Sequence, residues 1–112
     1  MQQESELRAV TAERPEWFEK ALAVPRREGV VDIDGCPISY MEWGDPQSPG
    51  IIMIPGLLTT LRCYAFIAPL LADDYHLVVF DLSGQGDSGQ REDYPEAARV
   101  QEVMGVARHT GL

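Results

Sequence analysis

Two short runs in this chain of 112 residues, Ile51-Ile52-Met53-Ile54 and His76-Leu77-Val78-Val79-Phe80, are apolar at nearly every position. A strand with one wet face alternates polar and apolar residues, so a continuous run reads as a strand buried on both faces, as parallel sheets require. Between them, PGLLTTLRCYAFIAPLLADDY puts Leu61, Tyr64, Ala65, Ala68 and Leu71 on one helical face, with a kink expected at Pro69. Strand, helix and strand in that order make a right-handed crossover and a parallel pair. This unit confines the chain to the α/β class.

The flanking segments fit around that unit. In EGVVDIDGCPISYMEWG, Val31 and Ile33 alternate with Asp32 and Asp34, and Ile38, Tyr40 and Trp43 follow. Asp34-Gly35 between them is a two-residue hairpin signature, because both positions tolerate positive φ. GDPQSPG is a loop. The last segment, PEAARVQEVMGVARHTGL, reads as a helix that starts at Pro95 and ends at Gly111. Its expected buried stripe is Val100, Val103, Met104 and Ala107. Ahead of the hairpin, Glu4 to about Val24 reads as helix interrupted near Pro15, with Trp17, Phe18, Ala21 and Leu22 on an apolar face. The expected division is a helical leader over 1–27 and a domain over 28–112.

Composition excludes several function classes. Eighteen acidic against nine basic side chains give a formal net charge of −9, which repels nucleic acid and anionic membrane surfaces. The start, MQQESELRAV, lacks the basic and apolar regions of a secretory signal. The apolar stretches fall short of the roughly 20 residues that span a bilayer. A cytoplasmic protein is expected. Cys36 and Cys63 have no metal or redox spacing and read as reduced thiols.

Directly after HLVVFD comes Gly84-Gln85-Gly86-Asp87-Ser88-Gly89. By spacing it is a G-x-G-x-x-G dinucleotide fingerprint, but that motif needs a helix opening on its third glycine and an acid roughly 20 residues on at a strand end. Here QREDYP follows, and the nearest acid, Glu102, lies within a helix. GDSG also occurs around a protease serine, yet Ser88 would need a histidine and a buried aspartate in reach. His76 precedes a strand and His109 sits at a helix end, where a cation is favourable in any case. A dinucleotide-binding fragment is thus the weakest reading.

From about Pro15 onward the chain resembles the amino-terminal part of the α/β-hydrolase family. IIMIPG is similar to the strand and turn that usually end in His-Gly. YAFIAPLLADDYHLVVFDLSGQGDSG is similar to the family's next helix, strand and D-x-x-G-x-G-x-S loop, matched by Asp81, Gly84, Gly86 and Ser88. PEWFEKALAVPRREGVVDIDG resembles the leader and first hairpin of a bacterial branch. The implied fold is α/β: an antiparallel hairpin, then strand-helix-strand-helix with parallel pairing, stopping before the strand that carries the nucleophile.

The resemblance implies a hydrolase of a small ester or a related C–O or C–C bond, with no metal and no organic cofactor. It places one oxyanion-hole donor on the backbone N–H of Leu57, with Gly56 allowing close approach. Pro55 replaces the usual histidine and removes one donor from that turn. Asp81, Gly84, Gly86 and Ser88 take an architectural role beside the active site. No G-x-S-x-G occurs, so no catalytic nucleophile, acid or base is expected within these residues and the chain alone is expected to be inactive. The resemblance also leaves an open edge at Ile51–Ile54. The alternative reading is therefore an interaction module that completes its sheet with a partner strand or a second copy.

Overall fold

The computed structural model describes residues 14–56 and 58–112. Helix α1 spans Glu16–Ala23, strands β1 and β2 span Arg27–Ile33 and Cys36–Trp43, β3 spans Gly50–Met53, β4 spans His76–Phe80, and helix α2 spans Glu96–Thr110. Two 3-10 turns, Leu61–Tyr64 and Ala68–Leu71, connect β3 to β4. The strands form one sheet in the order β1-β2-β4-β3. β2 lies antiparallel to both β1 and β4, and β3 runs parallel to β4.

The hairpin forms where Asp34-Gly35 predicts it. Ile33 pairs with Cys36 across a turn in which Asp34 has φ 51 and Gly35 φ 81. Both positive angles suit the right-handed twist of the flanking strands. The Gly35 N–H donates to the Asp32 carboxylate, closing the turn from within.

Every residue of β4 is buried, and alternation splits its side chains between two cores. Val78 and Phe80 join Ile33, Ile38 and Val106 on the face covered by α2. Leu77 and Val79 join Met41, Trp43, Leu61 and Ala68 beneath the 3-10 turns. α1 packs against the second of these turns, with Phe18 against Phe66 at a centroid separation of 5.6 Å.

Four expectations are corrected. β3, the expected open edge, is only partly buried rather than buried on both faces, and Ile54 beyond it is exposed. The expected helix over Leu61–Leu71 is instead the two 3-10 turns. Pro69 has no N–H to donate to the Ala65 carbonyl and its ring crowds that oxygen, so the i→i+4 ladder cannot run through. Thr60 caps the first turn by accepting from the Arg62 N–H. In α2 the buried residues are Glu102 and Val106, while Val100 is 59% exposed and Met104 46%. The helix is rotated from its most apolar stripe because Glu102 has partners to reach. On α1, Ala21 is buried but Trp17 and Leu22 are exposed. The helix expected from Glu4 lies largely outside the described residues.

The amino end of β4 carries a charged cluster. His76 is buried against Glu42 of β2, whose carboxylate also pairs with Arg27 of β1 at 3.2 Å. Burial raises the Glu42 pKa, but hydrogen bonds and charge attraction from Arg27 and His76 outweigh it and hold the carboxyl below its ordinary value of 4.5. A carboxyl with a lowered folded pKa contributes stability that is complete above the unfolded value and is lost as pH falls through the folded one. Urea titrations of the wild type are therefore expected to show stability declining below about pH 4.5, and Glu42→Gln is expected to flatten that limb. An unchanged slope in the variant would assign the acid sensitivity to other carboxylates.

Candidate functional site

The carboxyl ends of β3 and β4 lie side by side because the strands are parallel, and the loops leaving them form one rim. At this edge of an open α/β sheet ligands ordinarily bind. From β3 the chain enters Pro55-Gly56, and a tight turn closes when the Thr59 N–H donates to the Gly56 carbonyl at 3.1 Å. Leu57, the expected oxyanion donor, lies outside the described residues. Leu58 occupies the third position of this turn with φ 64 and is 90% exposed. A non-glycine residue held there costs about 1–2 kcal/mol.

From β4 the chain enters the Asp81 loop. Asp81 is buried, and its two carboxylate oxygens accept from different segments: the Leu61 N–H at 2.7 Å and the Asp87 N–H at 3.1 Å. Gly84 and Gly86 have φ 80 and φ 51, and a Cβ at Gly86 would collide with the Asp81 carboxylate. Both glycines are therefore dictated by the loop itself. Ser88 donates its Oγ–H to the Asp81 carbonyl and accepts from the Ser39 N–H at 2.9 Å. Its hydroxyl is thereby committed to backbone groups.

Neither histidine reaches this rim. His76 faces Glu42 at the other end of β4, and His109 stacks edge-on to Tyr40 at 5.5 Å. No helix opens on Gly89 either, since α2 begins at Glu96. The dinucleotide geometry is therefore absent. Among the described residues no group of three or more His, Cys, Asp or Glu could hold a metal ion.

A second network, which the sequence reading missed, holds the far side of the loop. Glu102 is 0% exposed. It accepts from the Ser83 N–H and the Ser83 hydroxyl, each at 2.7 Å, and from Arg91 Nε at 3.1 Å. The same guanidinium donates to the Ile33 and Asp34 carbonyls at 2.7 and 3.3 Å, clamping the hairpin turn. The readable signal was position: Glu102 stands four residues before Val106, at the centre of the face that meets the sheet. Between the two networks lies an open cleft of ≈ 230 Å³ lined by Leu58, Ser83, Gly84, Gln85, Tyr94 and Arg99.

Removing one member of a buried pair leaves the other charge uncompensated. Glu102→Ala is expected to cost about 3–5 kcal/mol in a urea titration, and Arg91→Ala on top of it much less. Fully additive losses would show that the pair does not act as a unit.

No family model matches the chain. A 1H-3-hydroxy-4-oxoquinoline 2,4-dioxygenase of Pseudomonas putida is 29% identical over 86 residues, covering 73% of this chain and 31% of that protein. Among solved structures, the thioesterase domain from the curacin biosynthetic pathway superposes with a TM-score of 0.68 at 26% identity, over 76% of this chain and 32% of that one. An alpha/beta hydrolase from Sphaerobacter thermophilus gives a TM-score of 0.68 at 26% identity, over 74% and 32%. The chain thus spans about a third of the length of each of these proteins. No helix among the described residues is long and apolar enough to cross a membrane. With the hairpin, the parallel pair and the Asp81 loop in this order, the chain has the fold of the amino-terminal part of an α/β-hydrolase.

Proposed function

We propose that these residues build the oxyanion-side wall of a cytoplasmic hydrolase acting on a small ester or a related C–O or C–C bond. The observation that carries this reading is the meeting of the Gly56–Thr59 turn and the Asp81 loop around one cleft at the carboxyl edge of a parallel pair. In the ester case water adds across the acyl C–O bond to give an acid and an alcohol. The backbone N–H of Leu57 is one of the two donors that steady the developing oxyanion, and Gly56 lets the chain come close. Pro55 leaves that donor intact, because its own missing N–H lies two residues earlier. Nucleophile, acid and base are assigned to no residue of this chain, because Ser88, His76 and His109 are all otherwise engaged.

The test is made on the protein captured from its source cells with an antibody to residues 14–27. A fluorophosphonate probe, which labels activated serines, is expected to label it, and nitrophenyl butyrate is expected to be hydrolysed. Absence of both, with oxygen uptake on a hydroxyquinolone instead, would replace hydrolysis by the chemistry named for the Pseudomonas relative. The purified chain of 112 residues is expected to show no turnover.

One observation favours a second reading, that the sheet is completed by another copy of the chain. β3 pairs only with β4 among the described residues, and beside it Ile54, Leu82, Arg99, Val100, Val103 and Met104 line an apolar groove of ≈ 310 Å³. Unpaired strand edges recruit other strands. Light scattering is expected to find the chain above its monomer mass of 12.4 kDa, and Ile54→Lys with Met104→Lys to restore the monomer. A wild-type monomer with sharp two-state unfolding would eliminate this reading.

A further inference from the structure

Leu58 combines features that a turn residue rarely carries together. Its φ of 64 lies in the left-handed region, where glycine or asparagine would sit without crowding the backbone. Its side chain is 90% exposed, so contacts within the protein do not offset the strain. It also forms one lip of the cleft whose other residues are Ser83, Gly84, Gln85, Tyr94 and Arg99. Strain that persists at a concave site points to use of the strained residue.

The rest of the cleft suggests what Leu58 meets. The Arg99 guanidinium makes no hydrogen bond and no ion pair among the described residues. In a chain of net charge −9, it puts an uncommitted guanidinium beside an apolar side chain. That pairing suits a ligand with an alkyl body and an oxygen-rich end, since guanidinium matches carboxylate geometry. A ligand with such a body would cover the exposed Leu58 side chain.

We infer that Leu58 is the specificity-determining residue of the cleft, seating the alkyl chain of an aliphatic acyl compound whose carboxyl oxygens point to Arg99. This rests on the hydrolase reading of the same cleft, but binding is separable from turnover.

The experiment titrates the methyl-labelled chain with sodium octanoate and with sodium acetate, followed by NMR. Octanoate is expected to shift the Leu58 methyl and Gly84 amide signals, and acetate to shift them far less. Leu58→Gly and Leu58→Asn both accept the backbone angle, so each is expected to fold and to melt a few degrees higher, at about 4 °C or more. Each is expected to bind octanoate about tenfold more weakly, and Arg99→Gln is expected to weaken it as well. Equal affinity in both Leu58 variants, shifts confined to another surface, or no octanoate shifts at all would overturn the inference. Octanoate binding with no fluorophosphonate labelling would remove the hydrolase reading alone; labelling without a Leu58 effect would remove only this one.

Discussion

A single carboxylate holds the two halves of the candidate site in register. Asp81 leaves the end of β4 already buried, and each of its oxygens takes a backbone N–H from a different segment, Leu61 at the start of the first 3-10 turn and Asp87 within its own loop. Charge-assisted bonds of this kind are roughly twice as strong as neutral ones. Because both bonds end on one side chain, Asp81 ties the segment after β3 to the loop after β4. The glycine at position 86 follows from the same constraint, since any side chain there would occupy the space the carboxylate needs.

The ion pair of Arg91 and Glu102 does for the outer side of the loop what Asp81 does for the inner side. A buried pair contributes little net stability, because desolvation consumes most of the attraction. Its value here is geometric. Glu102 fixes Ser83 through two bonds, while Arg91 fixes the hairpin turn through two others, so helix, loop and hairpin share one origin. That arrangement explains why α2 turns a charged residue toward the sheet and leaves Val100 and Met104 outside.

Much of this architecture was legible in the amino-acid order. Asp34-Gly35 announced the hairpin, the unbroken apolar run of β4 announced a central strand, and Pro95 and Gly111 bracketed α2 where its limits fall. The failures share a physical origin. Periodicity counts apolar residues but does not weigh a specific partner, so the stripe through Val100 and Met104 outscored the face that holds Glu102. Periodicity also cannot distinguish a helix of 3.6 residues per turn from short tighter turns when proline blocks the ladder, which is why the segment from Leu61 to Leu71 was read as one element. At the site, the pattern of Asp81, Gly84, Gly86 and Ser88 was visible, whereas the strain at Leu58 was not, because a leucine in a turn carries no mark of its φ.

At the opposite end of α2, Leu112 packs its side chain over Gly50, the first residue of β3, where a Cβ would have no room. The helix is therefore fastened at two places, to the cleft loop through Glu102 and to the amino end of β3 through Leu112. The loop after β4 and the start of β3 are thus joined through α2 and the residue that follows it, as well as through the ladder between the two strands.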